Sequence, residues 1–158
     1  MIIHILVDVV KSLTKRSVIS KQGKLTLDNN MRFSIGMCLS DFEREIVGLD
    51  FTIEKPFGMV NYRIHSVELK NERFGMLFGF HEGFLVSMAL FSKRPEFPQS
   101  WDRWTEEGIL AEKKFYDAFL AKNHVKQGNY DFGSIISIYD PKGGFSHINI
   151  SNRRERFP

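Results

Sequence analysis

The sequence is poor in cysteine, in long apolar runs and in every spacing that carries known chemistry. Cys38 is the one thiol among 158 residues. No internal disulfide can form, so a reducing compartment, the cytoplasm, is expected, with Cys38 a small apolar residue. No run of ~18 apolar residues exists, so no membrane span is expected. The apolar stretch Ile2-Ile3-His4-Ile5-Leu6-Val7-Asp8-Val9-Val10 has no basic segment before it and carries His4 and Asp8, so it predicts no signal peptide. His4, His65, His81, His124 and His147 are scattered, with no His-x-x-x-His pair and no cysteine partner, so no metal ligand set and no cofactor is expected. No phosphate-binding glycine loop and no Gly-x-Ser-x-Gly elbow occurs. Net charge is only +3, too little for a dedicated nucleic-acid binder.

What is abundant is phenylalanine, at 15 residues, within a chain that is 42% hydrophobic. Such a composition suits a folded domain, and rings of that size suit a sheet covered by a helix. The length fits one domain over 1–158, with 151–158 expected to be a frayed basic tail.

Residues 2–10 are rich in β-branched types and read as a buried strand, with a short helix as the rival reading. Lys21-Gln22-Gly23-Lys24 and Asp28-Asn29-Asn30 read as turns between short extended pieces. Ser40-Asp41-Phe42-Glu43 has the spacing of a capping box and predicts a short helix over 41–47, closed by Gly48, with Phe42, Ile46 and Val47 inward. Three strands follow. The first, from Met59 to Lys70, changes phase near His65-Ser66, which predicts a bulge. In the second, Phe74, Met76, Phe78 and Phe80 share a face. In the third, reached through His81-Glu82-Gly83, Phe84, Val86, Met88 and Leu90 share a face. These runs predict an antiparallel meander.

Ser100 or Thr105 then caps the main helix, with Glu106 and Glu107 in its first turn. At 100° per residue, Trp101, Trp104, Gly108, Ala111, Phe115, Ala118 and Phe119 fall on one arc, widened by Ile109, Tyr116 and Leu120. Gly128-Asn129 reads as loop. The last hairpin runs from Phe132 to Tyr139 and from Phe145 to Ile150 around Asp140-Pro141-Lys142-Gly143-Gly144. The expected class is α+β: a single antiparallel sheet, meander plus C-terminal hairpin, with a main amphipathic helix and a short helix on one face.

Two catalytic constellations are conceivable on residue type. His81 and Glu82 with His147 would make an acid/base set, but no orienting partner is visible. Glu106 and Glu107 are adjacent on a helix, so their carboxylates point ~100° apart and cannot share a proton. A binding role through charge remains. The densest acids are Asp102, Glu106, Glu107, Glu112 and Asp117, a candidate face for a basic partner. The basic segments 11–24 and 153–156 support an alternative, a nucleic-acid-associated protein.

Four pieces carry a resemblance: Ile35-Gly36-Met37-x-Leu39-Ser40-Asp41-Phe42, Ser100-Trp101-Asp102-x-Trp104-Thr105-Glu106-Glu107, Gly133-Ser134-Ile135, and Tyr139-Asp140-Pro141-Lys142-x-Gly144-Phe145. From residue 35 to 150 the chain resembles small bacterial α+β immunity-like proteins of toxin–immunity systems. The likeness implies a non-enzymatic protein that binds and neutralises a cognate toxin, and it carries over no binding residue. The run from Gly36 to Phe42 is also similar to the helix start of β-lactamase-inhibitor-like domains, which again implies a protein-binding sheet.

Overall fold

The computed structural model describes residues 17–156. The expected strand at 2–10 and the cations Lys11, Lys15 and Arg16 lie outside the described residues.

The fold is α+β, built on two antiparallel sheets and not one. The smaller is a ribbon of β1 (Lys24–Thr26) and β2 (Arg32–Ser34), joined through the Asp28-Asn29-Asn30 turn. The larger has seven strands: β3 (Phe51–Glu54), β4 (Val60–Leu69), β5 (Glu72–His81), β6 (Phe84–Ser92), β7 (Gly128–Tyr130), β8 (Gly133–Asp140) and β9 (Phe145–Ser151). Their order is β3-β4-β5-β6-β9-β8-β7, so the C-terminal hairpin docks on the free edge of the meander. Strands β3 and β7 were not anticipated. Each is three or four residues at a sheet edge, too short to show an alternation.

The meander forms because its turns suit its strands. Lys70-Asn71 and Glu82-Gly83 all have positive φ, the mirror-image turn that matches strand twist. The Asp28 carboxylate accepts from the N–H groups of Lys70 and Asn71 at 2.7 and 3.0 Å, tying the small ribbon to the β4–β5 turn. The bulge near His65-Ser66 is present, as a register shift between Ile64 and Val67. A second shift, between Gly79 and Phe80, was not foreseen. It turns Leu85 into the core and leaves Phe84 exposed, so the third strand's buried row is Leu85, Met88 and Leu90.

One face of the sheet is covered. Phe42, on α1 (Leu39–Glu45), meets Phe33, Tyr62, Phe78 and Phe80 at ring separations of 4.8 to 5.6 Å. Phe119, on α2 (Glu106–Lys122), meets Phe74 edge-on at 5.2 Å. The alternating phenylalanines of β5 thus serve both helices from one side, and each buried ring contributes about 2–3 kcal/mol of transfer energy. Val47, expected inward, is 76% exposed, because α1 ends before it.

The capping box does not form. Cys38 is the N-cap of α1 and makes no side-chain cap. The Glu43 carboxylate instead accepts from the Tyr62 hydroxyl at 2.9 Å, and the Ser40 hydroxyl lies against the Cys38 sulfur. At α2 the choice between two caps resolves to Thr105, whose Oγ1 accepts from the Gly108 N–H at 3.0 Å.

That cap cuts the tryptophans off the helix. Trp101 sits in a 3-10 turn (Trp101–Arg103), and Trp104 is extended with ψ 132°. The buried face of α2 is Ile109, Glu112, Tyr116, Phe119 and Leu120, while Ala111 and Ala118 are exposed. The expected arc is therefore turned by about 100°, one residue step.

After β9 the chain is held as far as Glu155. Asn129 accepts from the Glu155 N–H and donates to its carbonyl, each at 2.9 Å, and the Ser134 hydroxyl donates to the Arg153 carbonyl.

Candidate functional site

The five candidate acids do not form one face. Asp102, Glu106 and Glu107 are exposed around the start of α2. Asp117 turns inward toward β8. It accepts from the Ser137 hydroxyl, from Lys113 Nζ at 3.0 Å and from Gln127 Nε2 at 2.8 Å, and these contacts hold its carboxyl below the usual aspartate range despite burial. It is a strut between helix and sheet. Glu112 is 5% exposed and belongs to the core side of α2. Its position, three residues after Ile109 and four before Tyr116, is inward helical spacing, and that spacing was the signal for its burial.

The histidine pair is not assembled. His81 closes the β5–β6 turn opposite Phe84, whereas His147 stacks on Phe91 at 5.3 Å. Phe84 and Phe91 stand at opposite ends of β6, about 23 Å apart at the ~3.3 Å rise of a strand. His147 packs between Phe91 and Phe145, its Nδ1 has no partner among the described residues, and burial pushes its pKa down to about 4. Of the alternative basic segments, Lys21, Lys24, Arg153, Arg154 and Arg156 are exposed.

What the structure does bring together is a cleft where α2, the end of β6 and the β8–β9 turn meet. It encloses about 290 Å³ and is lined by Lys93, Gln99, Trp101, Trp104, Glu112 and Phe145 among others. The sequence folds this way for local reasons. The Asp140 carboxylate accepts from the N–H groups of Lys142 and Gly143, both at 2.9 Å, which tightens the turn. Gly144 has φ 70°, and a Cβ there would stand 2.7 Å from the Trp101 ring and 2.9 Å from Trp104 Nε1. Glycine therefore lets both indoles rest against the turn.

The rim of the cleft combines exposed aromatics with carboxylates. Trp101 is 72% exposed, and Trp104 and Phe145 are each more than a third exposed. Asp102 lies between the indoles in sequence, and Glu106 accepts from the Tyr139 hydroxyl at 3.2 Å. The neighbouring cations are Lys93, which lines the cleft but lays its chain over Gly75, Arg103, which donates to the Pro95 carbonyl at 3.1 Å, and Lys142.

The floor is Glu112. Burial pushes its pKa up to about 7, against the Tyr116 hydroxyl, whose hydrogen bond to it favours the ionised form. Tyr116 in turn accepts from the Ser92 N–H at 2.7 Å. The tryptophans and Glu112 lie in the expected stretch but on the sides opposite to those their residue types predict: the indoles are outward and the acid inward.

Among the described residues no group of three or more His, Cys, Asp or Glu side chains is arranged to hold a metal ion. No described helix is long and apolar enough to cross a membrane. No family model, no curated protein and no solved structure matches the chain.

Proposed function

We propose that this chain is a cytoplasmic immunity protein that binds a cognate bacterial toxin and neutralises it by occlusion, with the tryptophan-and-carboxylate rim as its docking surface. The observation that carries the reading is Trp101, an indole left 72% exposed beside Asp102 and the acids that open α2. Trp101, Trp104 and Phe145 make a cluster of exposed aromatics around one cleft, and buried tryptophan and tyrosine anchors dominate binding energy at protein interfaces. The surrounding carboxylates suit a basic partner surface, such as the substrate cleft of a nuclease, and steer encounter with it. Neutralisation of this kind requires binding alone and no reaction centre.

The test is co-expression of the protein encoded by the adjacent reading frame, with and without this chain. Protection of the host, a complex on a sizing column, and loss of both on Trp101→Ala are the expected results. Full toxicity in the presence of the folded chain, with no complex, ends the proposal.

A further inference from the structure

The cleft behind the rim has a chemistry that a flat docking surface does not need. Its floor is a buried carboxylate and its walls include two indole rings. Glu112 lines the cleft, and the Tyr116 hydroxyl is the one donor to its carboxylate found among the described residues. Burying a carboxylate with a single donor costs free energy, and a cation entering the cleft would offset that cost. Indole faces attract cations through the ring quadrupole, and a carboxylate at the end of such a slot fixes where the positive head stops. At about 290 Å³ the cleft is at the lower limit for a drug-sized ligand but ample for one extended side chain.

We propose that this cleft is a receptor for a single cationic side chain, a lysine or arginine of the bound partner, whose alkyl stem lies along Trp101 and Trp104 and whose head pairs with Glu112. The inference rests on the docking surface proposed above and names its anchor. The charged groups around Glu112 are few. Tyr116 faces it from α2, and Lys93 lines the cleft from the end of β6 but lays its chain over Gly75. The carboxylate must be ionised to hold a cation, so binding expels a proton and strengthens as pH rises through about 7.

The probes are n-butylammonium and n-propylguanidinium, the heads and stems of lysine and arginine, with n-pentanol as the neutral control. Each is titrated into the full chain while tryptophan fluorescence and the Glu112 carboxyl carbon shift are followed. Both cations are expected to saturate the signal at concentrations on the order of millimolar, as suits so small a ligand. Pentanol is expected to leave it unchanged, and Glu112→Gln to abolish it in a variant that keeps its circular dichroism. A weakened response in Trp104→Leu, with the fold kept, is the second arm. An equal response to pentanol, or a response that survives Glu112→Gln, overturns the proposal. Cation binding without toxin neutralisation would retain the cleft and remove the partner; neutralisation that persists in Glu112→Gln would retain the partner and remove the cleft.

Discussion

Glu112 accepts a hydrogen bond from the Tyr116 hydroxyl one turn along α2, and the pair is buried where the helix crosses the end of the sheet. Burial raises the acid from 4.5 to about 7, the hydrogen bond offsetting only part of the rise. In the unfolded chain a glutamate gives up its proton near 4.5. Between the two values the folded state binds more protons, so this group's contribution to stability is full below 4.5 and is lost as pH rises through about 7. His147 works in the opposite sense. Its pKa falls from 6.5 to about 4, so its contribution is present above 6.5 and is lost as pH falls through about 4. The two slopes oppose each other over the shared window. Urea denaturation across that range separates them: Glu112→Gln removes the loss on the alkaline side and His147→Phe the loss on the acid side. Each is expected to be about 2 kcal/mol after allowance for residual solvation.

Tyr116→Phe removes a donor to Glu112 and an acceptor from Ser92 in one step. The Ser92 N–H is then left buried without a partner, at a cost of about 1–3 kcal/mol. The Glu112 titration is expected to move further up, because the hydrogen bond was the contact that held it down. A carboxyl-carbon NMR titration reads the shift, and equilibrium denaturation reads the cost. An unmoved titration would break the link between the two side chains.

The two helix starts give a contrast. Thr105 caps α2 through its hydroxyl, so Thr105→Ala is expected to cost about 1 kcal/mol. Ser40 has the sequence spacing of a cap and makes none, so Ser40→Ala is expected to stay within about 0.5 kcal/mol. Thermal melts of the two single variants decide it.

That contrast also marks where the sequence could be read and where it could not. The meander was legible because Phe74, Met76, Phe78 and Phe80 repeat with the two-residue period of a strand, and Glu82-Gly83 is a turn pair. The last hairpin was legible from Asp140 and the glycines that follow. Periodicity misled at α2, because 100° spacing continues back through Trp104 and Trp101 while Thr105, extended at φ −142°, interrupts the helix. Two residues of the apparent helix face, Trp101 and Trp104, thereby became the rim of the cleft. At α1 the spacing of Ser40 and Glu43 was right but Tyr62 competed for the carboxylate from a strand distant in sequence. Glu112 was read by residue type as a surface acid, when its place between Ile109 and Tyr116 put it inward. The candidate site was thus missed for the same reason the helix was misjudged: the local pattern does not say where the cap falls.

Phe42 touches four other aromatic rings and is fully buried. Phe42→Ala is expected to cost about 3–5 kcal/mol, because a short helix cannot collapse into the space a ring leaves. Phe57 is fully exposed, and Phe57→Ala is expected to change stability by less than about 0.5 kcal/mol. Urea midpoints for the pair test whether α1 is a structural part of the core or a removable cover.

The rim predicts a division of labour that kinetics can resolve. Asp102, Glu106 and Glu107 are exposed, so their charge acts at a distance and is screened by salt. Reversing them together to lysine is expected to slow association with the toxin at least tenfold at low ionic strength, and to remove the fall in association rate that added salt causes in the native chain. Trp101 acts only in contact. Trp101→Ala is expected to leave association nearly unchanged and to speed dissociation by tenfold or more, the signature of a lost anchor. Neither change should lower the melting temperature appreciably, since neither group is buried in the free protein. Stopped-flow association and surface-immobilised dissociation with the adjacent gene's product give both rates. If the charge reversal leaves association and its salt dependence untouched while Trp101→Ala leaves dissociation untouched, the partner docks elsewhere on the molecule.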